Sequence, residues 1–159
     1  MRKRFPLWTL ILPALFCSIL IRAEDKANLS GAWKQNNEKS KLSRPSTLKS
    51  YVNKIEHKDP NLKVVTTTVG DRGESSYERS YTTDGKEQVT KDREGDEFHT
   101  TVKWEGKTLV FETMEVEGER KLTTTEKWTV SEDGKTLTKV RRTSGPRGDT
   151  ENTYVLEKQ

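Results

Sequence analysis

The chain is poor in the residues that most often carry chemistry. Among its 159 residues there is one cysteine, Cys17, and there are two histidines, His57 and His99. Cys17 sits in an apolar run near the start, so everything after that run lacks a thiol for a disulfide, a nucleophile or a cysteine metal site. A catalytic zinc needs three protein ligands, commonly including closely spaced histidines, and neither histidine stands in an H-E-x-x-H pattern. Both read as solvent-facing strand residues. No serine occupies a G-x-S-x-G elbow, and no glycine-rich turn leads from a strand into a helix to cradle phosphate. The acidic turn at Glu94 to Glu97 lacks the D-x-D-x-D-G spacing of a calcium loop and reads as a solvated turn. These absences predict no metal, no cofactor and no catalytic constellation, so the chain does not read as an enzyme.

Apolar residues are also scarce once the start is set aside. Residues 1–23 combine Arg2, Lys3 and Arg4 with an apolar run from Phe5 to Ile21 and then Ala23. That is the layout of a cleaved secretory signal peptide; the same run, broken by Pro6 and Pro13, is also at the short limit for a membrane anchor. Cys17 follows Phe16 rather than a small residue, which argues against lipid attachment. The remaining residues, 24–159, hold 32 hydrophobic residues in 136, about 24%. They carry 25 Lys and Arg against 25 Asp and Glu, so the net charge of +4 belongs to the leader. No basic excess is left to support nucleic-acid binding. Export without disulfides fits a periplasmic or extracellular protein of bacterial type, with no transmembrane segment in the mature chain and a monomeric state expected.

What the mature chain has in quantity is threonine, 20 residues of it, whose branched Cβ suits a pleated sheet. Alternating segments recur between Gly-centred turns at the spacing of an all-β barrel or sandwich. The segments are 29–34, 48–57, 62–69, 75–82, 86–93, 97–104, 107–116, 120–130, 135–143 and 150–158. Turns such as Asp84-Gly85 and Asp133-Gly134 favour tight hairpins. The predicted fold is therefore a single antiparallel up-and-down β-barrel of about eight to ten strands, over residues 24–159. The segment from Gln35 to Thr47 is the longest connection. It reads as a surface crossover or a cover for an opening, with room for one helical turn around Glu38 to Leu42. A membrane barrel is excluded because no lipid-facing apolar band alternates with a polar lumen along these strands.

Alternation assigns the inner face. Phe98, Thr100, Val102 and Trp104 share one side of their strand; Leu122, Thr124, Glu126, Trp128 and Val130 share one side of theirs. Glu126 is the one carboxylate on an inward-reading face, expected to pair with Lys or Arg. Leu109 and Phe111 oppose Val110, Met114 and Val116, so that strand is apolar on both sides. Lys139, Arg141, Arg142 and Arg147 form the one local basic cluster. It reads either as an outer face opposite acidic neighbours or, through Arg142 on the side of Val140, as an anchor for an anionic head group.

The stretch Leu29-Ser30-Gly31-Ala32-Trp33-Lys34 places a G-x-W signature on the first strand, and the chain closes on Asn152-Thr153-Tyr154-Val155-Leu156-Glu157-Lys158. In this arrangement the chain resembles the calycin superfamily, the lipocalins, fatty-acid-binding proteins and small bacterial lipocalin-like domains. The resemblance implies that Trp33 is structural, a large ring packed across the closed end with its N–H near backbone carbonyls. It implies a small apolar or amphipathic ligand in the barrel. Fatty-acid-binding members use R-x-Y on the last strand to hold a carboxylate; the matching positions here are Asn152 and Tyr154, which leaves Arg142 as the substitute cation. The candidate ligand-binding residues are Phe98, Trp104, Phe111, Trp128, Arg142 and Tyr154. The alternative is a barrel filled by its own side chains that acts through its rim, as an envelope interaction or stress-protective protein.

Overall fold

The computed structural model describes residues 26–92, 94–118, 120–146 and 148–159. The leader and Arg147 of the basic cluster lie outside them. Ten strands follow one another: β1 (Gly31–Gln35), β2 (Ser50–Lys58), β3 (Asn61–Gly70), β4 (Gly73–Thr82), β5 (Gln88–Lys91), β6 (Glu97–Glu105), β7 (Thr108–Glu117), β8 (Arg120–Val130), β9 (Thr136–Ser144) and β10 (Thr150–Lys158). Every pairing is antiparallel, in the order β4-β3-β2-β1-β10-β9-β8-β7-β6-β5. The chain thus forms one nearly closed meander barrel, with the first strand, β1, seated between β2 and the last strand, β10. Among the described residues there is no helix, and so none long and apolar enough to cross a membrane.

The strands lie within a few residues of the segments their alternation predicts. Only β5 is clearly shorter than expected, because its flanks are held elsewhere. Before it, Thr83 donates from its backbone N–H to the Pro60 carbonyl (2.8 Å) and from its hydroxyl to Asp59 Oδ1 (2.5 Å), while Gly85 N–H reaches the Val102 carbonyl (2.9 Å). After it, Asp92 Oδ1 accepts the backbone N–H groups of Glu94 and Asp96. Such side-chain-to-backbone bonds offer the chain an alternative to the ladder.

One end of the barrel is packed with apolar side chains. Leu29, Trp33, Ile55, Leu62, Val64, Val102, Leu109, Phe111, Trp128, Leu137 and Leu156 form one buried cluster. Trp33 is fully buried and donates from Nε1 to the Leu29 carbonyl at 2.8 Å, the placement the G-x-W resemblance implies. Gly31 has φ +139°, and a Cβ there would meet Lys158 Cε at 2.9 Å; the Lys158 ammonium lies 5.2 Å from the Trp33 ring centroid. The arm before β1 is tied down beside this floor, Ser30 exchanging hydrogen bonds with the His57 backbone and Lys26 pairing with Asp59 at 2.6 Å.

The outer face is a field of cross-strand ion pairs such as Lys63–Glu78 and Arg142–Glu151, each worth little alone. Val110 points outward yet is buried. Its cross-strand neighbours are Lys103 and Lys127, whose ammonium groups are drawn to Glu105 and, for Lys103, Glu112. Lysine stems lying over an apolar neighbour cover it in this way.

Two features shape access. The outer edge of β4 has no strand partner among the described residues, so a seam runs between β4 and β5. The connection 36–49 closes a single turn over 37–39, where Ser40 N–H donates to the Asn36 carbonyl at 3.1 Å, earlier than the one expected around Glu38 to Leu42. It is followed by Lys41, which exchanges two backbone hydrogen bonds with Thr153. With Asn36 N–H on the Val155 carbonyl and Ser43 N–H on Asn152 Oδ1, this segment continues the line of β1 along β10.

Candidate functional site

Above the apolar floor the interior turns polar. Counting outward from the β8–β9 turn pairs Val130 with Leu137, Trp128 with Lys139 and Glu126 with Arg141. Residues opposed in a sheet share a face, so Lys139 and Arg141 enter the barrel together with Glu126. Arg141 Nε donates to Glu126 Oε2 and Trp128 Nε1 donates to Oε1, both at 2.6 Å. The Lys139 ammonium stands 3.7 Å from the Trp128 ring centroid and donates to Asn53 Oδ1, while Asn53 donates onward to Thr66 Oγ1 at 2.8 Å. Asn53, Thr66, Glu126 and Lys139 are all buried.

The charges of this layer answer to that burial. Burial works to raise the Glu126 carboxyl, but the charges of Arg141 and Lys139 and the Trp128 N–H outweigh it and hold the group below the ordinary carboxylate range. Lys139 moves the other way. Burial, aided by the charge of Arg141 and only partly opposed by Glu126, brings its ammonium down to about 7. Burial also raises the Tyr51 phenol to about 12.

Toward the opposite end the inner wall is accessible. The Arg141 side chain is 43% exposed although it faces inward, and it lies 5.9 Å from the Tyr154 ring, which stacks with Tyr51 at 6.4 Å. Only its Nε is hydrogen-bonded among the described residues, so its terminal N–H groups have no protein acceptor there. Thr100, Thr113, Thr124 and Thr143 stand opposite one another in register across β6, β7, β8 and β9. Their hydroxyls meet at 3.1 Å in two pairs, Thr100 with Thr113 and Thr124 with Thr143, giving a hydroxyl-lined wall. On β4, Tyr77 and Arg79 oppose inward Thr66 and Val64, yet both are exposed, Tyr77 at 45%, because they border the seam.

The predicted site residues are distributed unevenly. Phe111 and Trp128 meet at 4.6 Å, with Tyr81 edge-on to Phe111 at 5.3 Å. Tyr154 stands beside Arg141. Phe98 is on the inner row, opposed to Glu115 and nearer the accessible end. Trp104 lies at the closed end, 5.6 Å from the His57 ring and away from the polar layer. Arg142 is on the outside: its side chain is 73% exposed and paired with Glu151. The inward cations of β9 are Lys139 and Arg141, the reverse of the phase read from Val140, because buried Leu137 sets the inner row. His57 corrects the expectation of a solvent-facing histidine; its side chain is 7% exposed, and burial pushes its imidazole below the usual value. His99 is partly covered, between Glu87 and Glu97. Tyr51, Asn53, Thr66, Tyr77 and Arg79 were outside the sequence reading, although the hairpin registers carry the signal for all five.

Clefts of about 500 and 540 Å³ lie on the surface rather than in the polar layer. The first is lined by Ser30, Glu56, His57, Lys58, Asn61 and Tyr81 at the closed end. The second is lined by residues 34–38 with Glu157 and Gln159. Among the described residues the one acidic group of metal-like spacing is Asp92, Glu94 and Asp96, where Asp92 already serves the turn.

No protein-family model matches the sequence, and no curated protein matches it either. Solved structures do match in shape. A secretory abundant heat soluble protein from Ramazzottius varieornatus superposes with TM-score 0.63 at 12% identity, over 87% of this chain and all of that one. Apo lipid binding protein 8 of Caenorhabditis elegans gives 0.60 at 9% identity, over 84% and 99%. Zebrafish ileal bile acid-binding protein, in complex with cholic acid, gives 0.56 at 16% identity, over 82% and 98%. The barrel has the calycin fold. At these identities the likeness is one of architecture, and the inner residues of this calycin barrel are its own. Asn152 stands where an arginine was sought, and Arg141 enters from the neighbouring strand.

Proposed function

We propose that this protein binds one small amphipathic molecule inside the barrel and that it works outside the cytoplasm, after removal of the leader. The apolar end of the ligand rests on Phe111 and Trp128, and its polar head lies among Arg141, Tyr51 and Tyr154. The observation that carries this reading is Arg141: an inward guanidinium, half open, with terminal N–H groups that no described residue accepts. A guanidinium fork of that kind suits a carboxylate or another planar oxygen pair. The similar structures lend support, one being a lipid binding protein and one a complex with cholic acid, an amphipathic carboxylate.

A second reading, a filled barrel acting through its surface, is favoured by the complete burial of Lys139, Asn53 and Thr66 across the middle. Native mass spectrometry with decanoate and cholate separates the two. Binding predicts a single added mass, a change in tryptophan fluorescence, at least about tenfold weaker binding for Arg141→Ala, and no change for Arg142→Ala. A bare mass with every amphiphile offered would select the filled barrel.

A further inference from the structure

Lys139 is placed unlike any other described lysine. It is 3% exposed, and among the described residues no carboxylate oxygen lies within 4.0 Å of its nitrogen. The nearest carboxylate of the layer, Glu126, has one oxygen engaged by Arg141 and the other by Trp128. What Lys139 touches is neutral: the amide oxygen of Asn53 and the face of Trp128. A buried amine whose counter-ion is claimed by a neighbour lowers its energy by giving up its proton. A neutral lysine in an apolar setting is a nucleophile toward carbonyl carbon. Its position supplies the rest, since Arg141 lies two residues along the same strand toward the accessible end and Phe111 and Trp128 form the apolar wall at its side.

We infer that Lys139 is a covalent capture site for an apolar aldehyde or ketone held in the barrel, and this rests on the proposed reading of the barrel as a ligand container. The Nζ lone pair forms a bond to the carbonyl carbon, giving a carbinolamine. The two amine protons leave with the carbonyl oxygen as water, and the C=N bond of an imine remains. No oxidant or reductant takes part, and water reverses the step, so capture is reversible. The groups that face Lys139 and set its proton are Glu126 on β8, Arg141 on its own strand and Asn53 on β2, with Tyr51 on β2 and Tyr154 on β10 beyond them. The Arg141 guanidinium, next along the inner row of the strand, favours the uncharged amine.

The experiment uses the full protein and two probes of equal chain length, decanal and decanoate. Decanal is incubated with the protein at pH 7.4 in the presence of cyanoborohydride, which converts any imine to a stable secondary amine, and the adduct is mapped by peptide mass spectrometry. The expected result is a single alkyl adduct on Lys139, at least about tenfold above any exposed lysine. Excess decanoate should suppress it by competing for the same space. Decanoate binding without preferential labelling of Lys139 would overturn the capture site while leaving the container reading intact. Failure of decanoate to bind together with labelling spread over exposed lysines would overturn both. Mapping is done on the unaltered protein, so the outcome does not depend on a variant folding; Lys139→Met, which is close in volume, should abolish the adduct.

Discussion

Lys139 and Arg141 differ by two residues on one strand, yet their protons answer to opposite balances. Arg141 is partly open and bound to Glu126, and stays a cation. Lys139 is enclosed and has only neutral contacts. The consequence for stability has a definite sign. An unfolded lysine keeps its proton to about pH 10.4, whereas in the barrel Lys139 loses it near 7. Between those values the unfolded chain binds more protons than the native one, so stability rises with pH across that window, and the charge-burial penalty is fully present below it. Urea unfolding at pH 7 and pH 9 should therefore show a gain in the natural protein over Lys139→Met of about 1–3 kcal/mol. Equal pH dependence in the two proteins would mean that Lys139 remains charged. Tyr51 does not interfere, because its raised value of about 12 makes its contribution fall only above about pH 10, where the unfolded phenol ionises first.

At the scale of the element, the G-x-W on β1 has a physical reason for each of its fixed positions. Trp33 closes the floor and satisfies the Leu29 carbonyl; Gly31 holds φ +139° under the Lys158 side chain. Replacing Gly31 by alanine forces a Cβ into a backbone region that L residues rarely adopt. The expected cost is about 1–3 kcal/mol, read as a lower urea midpoint at unchanged m-value. An unaffected midpoint would mean that β1 can rotate its first residue freely. The same scale shows what was legible beforehand. β6 and β8 each place their large apolar residues on a single phase, so Phe98, Val102, Glu126 and Trp128 could be assigned to the interior from alternation alone. β9 has Leu137 on one phase and Val140 on the other, and alternation leaves the choice open. Charge then misled, since Lys139 and Arg141 look like surface residues. The tie could have been broken by counting back from the Asp133-Gly134 turn, which sets Arg141 opposite Glu126. His57 was missed for a related reason: it belongs to the inner row of β2, opposite Leu62, and the closed end covers it. The late start of β5 was not legible, because it is set by bonds to Asp59, Pro60 and Val102, distant in sequence, whereas its early end is set locally by Asp92.

At the scale of the whole molecule, the barrel divides into a dry floor, an ionic layer and a hydroxyl-lined upper wall, with a seam along β4. Ten strands need an interior, and 32 hydrophobic residues fill only part of it; the polar layer and the threonines supply the remainder. Hydrogen exchange should mirror this division. Amides of β7 and β8, paired on both sides and resting on the floor, should be the most protected, while the half of the β4 amides that point away from β3 should exchange fast. Uniform protection along β4 would reveal a strand seated in the seam and refute the open edge.

The segment that continues β1 along β10 has a kinetic meaning. Residues 36–43, spent as part of the wall, do not serve as a swinging cover, so in the proposed container a guest would reach Arg141 without waiting for them to move. On that reading arrival would be set by diffusion and charge, and the time a guest remains by its contacts inside the barrel. For the proposed container, a reversible bond to an interior amine would be the means of lengthening a stay that contacts alone would otherwise set.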